Sequence, residues 1–166
     1  MPNIFKCMKP DKVCRTVNDI DLEELKGRGI RLFLLDFDNT LGPDHAHRPV
    51  EFSFQAVDRI RQAGFDCCLV SNAKSGRSAG IAKELEMQCI TYAHKPNPSG
   101  VYRALKMMNA DASEAVMVGD QVFTDVIAGK MAGVYTIMVE RFSKKEIWYV
   151  RLKRPLEKIV RLFACY

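Results

Sequence analysis

Two short stretches of the chain set carboxylates in pairs. Asp36-Phe37-Asp38-Asn39-Thr40 follows directly on the apolar Leu34-Leu35, and Gly119-Asp120-Gln121-Val122-Phe123-Thr124-Asp125 follows on Ala115-Val116-Met117-Val118. Placing ionised groups at the end of an apolar run makes their charge expensive, so the position calls for a compensating partner. A turn built from Asp and Asn accounts for Asp38-Asn39 alone, but not for Asp36 immediately behind two leucines. Asp125 taken alone also reads as a cap for the helix that follows. Four carboxylates brought to one place repel unless a cation sits among them, and an all-oxygen set of this kind suits Mg²⁺. Ser71-Asn72 and Lys95 add groups suited to an anion such as phosphate: a hydroxyl and amides near a helix start, and a lysine stiffened by Pro96 and Pro98. A lone lysine is usually a solvated surface charge; its place after an apolar run is what singles out Lys95.

The elements that must position these residues alternate along the chain. IRLFLLDFD (30–38), FDCCLVSN (65–72), QCITYA (88–93), EAVMVGD (114–120) and VYTIMV (134–139) are short apolar runs that read as buried strands. Between them, helices are expected over 51–64 (Phe54, Val57 and Ile60 on one face), 76–87, from Pro98 through Val101, Leu105 and Met108, and over 124–133. A short helix starts the series, with Asp21 as cap, Glu24 three residues on and Gly27 at its end, while residues 1–18 read as irregular. Alternating strands and helices predict an α/β fold, a three-layer Rossmann-like parallel sheet covered on both faces. Such sheets bind ligands beyond the carboxyl ends of their strands, and Asp36, Asp38, Ser71, Asn72 and Asp120 all fall there. The division expected is an N-terminal segment (1–29), a catalytic core (30–140) and a basic C-terminal segment (141–166).

Taken in order, Asp36-x-Asp38-x-Thr40, Ser71, Lys95 and Gly119-Asp120-x-x-x-x-Asp125 resemble the four motifs of the haloacid dehalogenase-like (HAD) hydrolase superfamily, over about residues 30 to 140. The stretches LLDFDNTL, LVSNA, HKPNPSG and VGDQVFTDVIAGKMAG are similar to the YqeG-type, phosphatidylglycerophosphate phosphatase-like branch of subfamily IIIA. The resemblance implies a phosphatase with Asp36 as nucleophile, forming an aspartyl-phosphate, and Asp38 as general acid and then base. It implies Mg²⁺ on the Asp36 carboxylate, the Asp38 backbone carbonyl, Asp120 and Asp125, the last directly or through water. Ser71, Asn72 and Lys95 would hold the phosphoryl group, and Thr40 would orient Asp38 or its loop. The gaps from Thr40 to the helix at 51, and from the third strand to the helix after Pro98, leave no room for a large cap domain. The site should therefore be open to a phosphate on a large molecule, with His45 and His47 in the first loop, solvated or touching substrate.

Bulk properties agree with a single globular domain. The 166 residues are 48% hydrophobic and 27% charged, with a formal net charge of +5, too small to argue for nucleic acid. The six cysteines include no Cys-x-x-Cys pair and read as reduced, small apolar residues. No apolar run reaches the roughly 18 residues of a membrane span, and the N-terminus lacks a secretion-signal core, so a cytoplasmic location is expected. The tail 143–166 interleaves Lys144, Lys145, Arg151, Lys153, Arg154, Lys158 and Arg161 with Trp148, Leu152, Leu156 and Phe163. It either packs on the core or meets an anionic membrane peripherally, on its inner face. Expected partners are thus a phosphorylated small molecule or a phospholipid head group, with oligomerisation left open. Soluble sugar, nucleotide or other metabolite phosphates are the alternative substrates. A non-catalytic binding module and a receiver-like domain are the readings outside enzymology; the intact Asp38 argues against both.

Overall fold

The computed structural model describes residues 7–73 and 75–141. Six strands form one parallel sheet: β1 (Lys12–Cys14), β2 (Leu32–Leu35), β3 (Asp66–Val70), β4 (Gln88–Ile90), β5 (Ala115–Gly119) and β6 (Tyr135–Val139), in the spatial order β1-β6-β5-β2-β3-β4. Five helices connect them: α1 (Leu22–Gly27), α2 (Glu51–Gln62), α3 (Ser75–Glu84), α4 (Ser99–Met107) and α5 (Ile127–Ala132).

The central strands are apolar on both faces because helices cover both. Phe33, Leu35, Leu69, Val116 and Val118 meet α1, α2 and α3 through Leu25, Val57, Ile60 and Ile81. Leu32, Leu34, Val70 and Met117 point the other way, onto Val101 and Leu105 of α4 and Ala128 of α5. The alternation along each strand produces the three layers. Adjacent Cys67 and Cys68 accordingly enter opposite clusters. Burial pushes both thiols up to about 12, so they stay neutral and serve as small apolar groups.

The five expected strands and the helices between them are present, with shorter ends. Three details differ. Residues 12–14, expected to be irregular, form β1 and pair with β6 from Lys12↔Ile137 to Cys14↔Val139. Asp11 fixes that edge, its carboxylate accepting from Thr136 N at 2.8 Å and Thr136 Oγ1 at 2.9 Å. Three residues are too few for periodicity to register, and the docking depends on a distant threonine. Phe54, expected inside, is 37% exposed, and Ser53 faces inward instead, its hydroxyl donating to Leu41 O at 2.7 Å. The helix expected over 124–133 opens with a π-helical turn, Val122–Val126, before α5. Asp21 caps α1 as expected, accepting from Glu24 N at 3.0 Å. The division into three segments places a boundary at 29, yet β1 shares its sheet with the core. The basic tail 143–166 lies outside the described residues.

Candidate active site

Asp36, Ser71 and Asp120 leave the carboxyl ends of β2, β3 and β5, neighbouring strands in the sheet. The ladder continues one step past the formal strand ends: Asp36 N donates to Val118 O at 3.0 Å and Ser71 N to Ile90 O at 2.9 Å. The functional side chains therefore start from rigid backbone, not from free loop.

Lys95 stands at the centre. Its ammonium, 2% exposed, donates to Asp36 Oδ1 at 2.7 Å, Asp125 Oδ1 at 2.7 Å and Val70 O at 2.8 Å. Three donors meet three acceptors, which is the full capacity of an ammonium group. Burial alone would lower its pKa, but the carboxylates of Asp125 and Asp36 outweigh burial and raise it, so the lysine is charged. Burial above all, against the downward pull of Lys95 and with the added push of Asp125 and Asp38, leaves Asp36 raised to about 7.

The backbone of Lys95 is held as firmly as its side chain. Asn72 Nδ2 donates to Lys95 O at 2.9 Å, and Lys95 N donates to Asn72 Oδ1 at 2.8 Å. Asn72, expected against substrate, thus spends its amide on positioning the lysine. Tyr92 and His94, on either side of Ala93, adopt φ of 47° and 58°. Each such conformation costs roughly 1 to 3 kcal/mol in a non-glycine residue, and strain of this kind gathers where a side chain must be aimed. Ser71 Oγ accepts from Ala73 N at 3.1 Å and from Ser78 Oγ at 3.0 Å, which directs the hydroxyl beside the start of α3.

On the other flank the π-helical turn aims Asp125. Its Oδ2 accepts from Gln121 N at 3.1 Å while Oδ1 takes Lys95. The wider turn brings the carboxylate back over β5, so close that a Cβ on Gly119 would sit 2.3 Å from Asp125 Cγ. Only glycine leaves that space. Asp120, its side chain fully buried, accepts from Arg141 Nε at 3.2 Å.

One oxygen from each of Asp36, Asp120 and Asp125 lies within 4.8 Å of the others. The donor set is all-carboxylate and buried, a fit for a hard divalent cation rather than a soft one. The side chain of Asp38 turns away from this cluster. Arg77, on α3, donates to it through both terminal nitrogens, NH1 reaching Oδ1 at 2.8 Å and NH2 reaching Oδ2. Arg77 NH1 also donates to Ala46 O at 3.0 Å, and His45 N donates to Asp38 Oδ1 at 3.0 Å, closing the loop 38–46 around the carboxylate. Of the two loop histidines, His45 thus touches the site through its backbone. Thr40 is buried, and its hydroxyl finds no hydrogen-bond partner among the described residues.

The expected residues are therefore gathered at one sheet edge, and sequence reasoning missed two neighbours. Neither Arg77 nor Arg141 is singled out by the sequence motifs. Their signal was positional: Arg77 falls just inside the helix that follows Ser71, and Arg141 just past the end of β6.

The parallel sheet, with buried carboxylates and a lysine at its carboxyl edge, has the architecture of an α/β protein that binds its ligand beyond the strand ends. The family model described as haloacid dehalogenase-like hydrolase matches residues 45–133. The chain belongs to the haloacid dehalogenase-like hydrolases and is a phosphatase of that family. It is 28% identical over 157 residues to the probable phosphatase YqeG of Bacillus subtilis, an alignment covering 92% of this chain and 89% of that protein. It is 26% identical to phosphatidylglycerophosphate phosphatase 1, chloroplastic/mitochondrial, of Arabidopsis thaliana; the match takes in 83% of this chain but 42% of that longer protein. Among solved structures, the cobalt-bound deoxy-D-mannose-octulosonate 8-phosphate phosphatase of Haemophilus influenzae shares the fold, with a TM-score of 0.53 over 81% of this chain and 89% of that one, at 12% identity.

Proposed function

We propose that the protein hydrolyses a phosphomonoester in two steps on Asp36, and that its substrate is a phospholipid head group of the phosphatidylglycerophosphate kind. The observation that carries the chemistry is Lys95 bridging Asp36 and Asp125 at the strand ends. It pulls the buried Asp36 carboxylate back toward the ionised form and aims it, as a nucleophile requires. An Asp36 oxygen attacks phosphorus, the ester P–O bond breaks, and Asp38 supplies the proton to the departing alkoxide. Asp38 then takes a proton from water, which attacks phosphorus, releases phosphate and restores Asp36. Ser71 would meet the phosphoryl oxygens, and Lys95 would do so by exchanging one of its three present acceptors; Asn72 acts by fixing Lys95, and Thr40 by its place in the loop that carries Asp38. Mg²⁺ would be held by Asp36, Asp120 and Asp125, with the Asp38 backbone carbonyl as a further ligand, and would supply charge neutralisation and alignment.

Arg77 gives Asp38 its orientation, and its bidentate grip must loosen when Asp38 carries the proton. Two facts support a large substrate. Among the described residues, no further element interrupts the stretch between β2 and α2 or that between β4 and α4, so neither stretch carries a cap domain. The Arabidopsis relative also bears the name of a lipid phosphatase. Among the described residues no helix is long and apolar enough to cross a membrane, so a lipid would be met at a surface.

A phosphatase screen with phosphatidylglycerophosphate in micelles beside soluble esters, in Mg²⁺ and in EDTA, tests the reading. Mg²⁺-dependent release of phosphate, lost in Asp36→Asn, is the expected result. Full activity in EDTA after dialysis would refute the metal site. Soluble sugar or nucleotide phosphates turned over far faster than the lipid would replace the substrate and leave the chemistry intact.

A further inference from the structure

The two helices on one face of the sheet differ in charge from the three on the other. Helices α1, α2 and α3 mix signs: Glu23 and Glu24, Glu51 and Asp58, and Glu84 stand among their lysines and arginines. Helices α4 (SGVYRALKM) and α5 (IAGKMA) hold Arg103, Lys106 and Lys130 and no carboxylate. The lack of acid extends past the helices, since residues 87–110 and 126–139 contain neither Asp nor Glu. Lys130 is tied to Asp11. Arg103, in contrast, donates to the backbone carbonyls of Thr91 and Tyr92, and Lys106 meets no carboxylate among the described residues.

The same face is apolar where it meets water. The three most exposed large apolar side chains among the described residues, Tyr102 at 51%, Met107 at 50% and Met131 at 47%, all lie on it. Tyr102, Arg103, Lys106 and Met107 fall three and four apart on α4, so they form one outward stripe opposite the buried Val101, Ala104 and Leu105. The Tyr102 hydroxyl donates to Met131 O at 3.1 Å and joins that stripe to α5. The face also adjoins the reaction centre. Helix α4 starts at the carboxyl edge of the sheet, and the loop leading to it from β4 turns Lys95 inward while Tyr92 and His94 stay exposed.

We infer that the outer face of α4 and α5 is the surface by which the protein docks on an anionic lipid bilayer. Lipid phosphates complement cations that no carboxylate neutralises, and the interfacial region receives tyrosine and methionine side chains. A second copy of the chain is a poorer match, because a two-fold contact would set the same cations against each other. The inference rests on the proposed lipid-phosphatase reading and supplies the contact that would bring a head group beside Lys95.

Flotation of the full chain with phosphatidylglycerol-rich and pure phosphatidylcholine vesicles tests the face without any turnover. Binding is expected to the anionic vesicles only, and it should weaken with added salt. Arg103→Glu with Lys106→Glu should lower partitioning by about tenfold or more, and Lys106→Glu alone, which leaves the Tyr92 loop untouched, by about fivefold. Lys26→Glu with Lys83→Glu, the same charge change on α1 and α3, should lower it far less. Met107→Ser with Met131→Ser should remove the binding that survives salt. Equal losses from the two charge-reversal pairs, or none from either, would overturn the face and assign any binding to net charge or to another segment. A protein that stays off phosphatidylglycerol at low salt would overturn it too, and dimers lost in Met107→Ser with Met131→Ser would then give the face to a second copy. Flotation reads docking whether or not any ester is hydrolysed, so the surface and the phosphatase reading fail separately. If both hold, Lys106→Glu should slow hydrolysis of phosphatidylglycerophosphate in vesicles and leave p-nitrophenyl phosphate turnover unchanged.

Discussion

Lys95 and Arg77 each tie down one carboxylate of the Asp36-Phe37-Asp38 pair, in opposite surroundings. The Lys95 ammonium is 2% exposed, anchored from β3 and from Asn72, and shared between Asp36 and Asp125. Arg77 and Asp38 sit nearer water, with side chains 15% and 23% exposed, and their grip is shared with a loop carbonyl. A buried ion pair is hard to break without leaving an uncompensated charge, whereas a pair at the rim exchanges with water at little cost. In the proposed mechanism the nucleophile, Asp36, stays in one place throughout the reaction. The acid/base, Asp38, changes protonation state twice. The inner half is built to hold, and the outer half is built to release.

The largest effect should come from breaking the inner half. Lys95→Met leaves Asp36 and Asp125 facing each other without their shared cation. Turnover should fall by at least about a thousandfold, and metal-free stability by roughly 3 to 5 kcal/mol; saturating Mg²⁺ should recover part of the stability and none of the rate. Urea denaturation with EDTA or Mg²⁺, beside a p-nitrophenyl phosphate assay, reads both. A stable, active Lys95→Met protein would show that the inner network is dispensable.

Gly119→Ala attacks the same half sterically. The new methyl would lie 2.3 Å from Asp125 Cγ, so Asp125 must leave its position. Mg²⁺ affinity should fall by about tenfold or more, with a stability loss of about 1 to 3 kcal/mol. Calorimetric Mg²⁺ titration measures it. The fault should be specific to the site: β5 and the core around it should remain intact by circular dichroism.

The fold was legible in the sequence where apolar runs end in carboxylates, because a buried strand with a charge at its tip has few alternative explanations. Asp36, Asp120 and Asp125 are brought together as their spacing implied, and Lys95 joins them. What escaped was set by contacts remote in sequence. Strand β1 exists because Asp11 bonds to Thr136, 125 positions away. Arg77 grips Asp38 across 39 positions. The π-helical turn was hidden because Val122 to Val126 has unexceptional helix chemistry; the extra residue in the turn shows only in where Asp125 points.

Breaking the outer half should be milder. Arg77→Ala removes the grip on a partly exposed carboxylate, so stability should change by about 1 kcal/mol or less. The rate should fall by about ten- to a hundredfold, mainly in kcat and most for esters with poor leaving groups, where the proton from Asp38 matters. Equal losses for p-nitrophenyl phosphate and for an alkyl phosphate would mean that Arg77 serves something other than Asp38.

A separate effect is expected in the pH dependence of metal-free stability. Burial lifts Asp36 from 3.8 to about 7, so the folded protein binds a proton more readily there than the unfolded chain does. That contribution disfavours the folded state increasingly as pH rises from about 4 to 7. Thermal melts in EDTA should show this downward trend in the wild type and a flatter one in Asp36→Asn. Mg²⁺ should remove the difference by favouring the ionised carboxylate. Parallel pH profiles for both proteins in EDTA would contradict the assignment of that charge.

In the proposed mechanism Asp36 carries the phosphoryl group and Asp38 sends it on. Rapid acid quench of Asp38→Asn with p-nitrophenyl phosphate, whose leaving group departs without a proton, followed by peptide mass spectrometry, tests it directly. One added phosphoryl group is expected on the peptide containing Asp36, accumulating in Asp38→Asn and missing in Asp36→Asn. A phosphoryl group found on another residue, or turnover in Asp36→Asn above a few per cent of wild type, would contradict it.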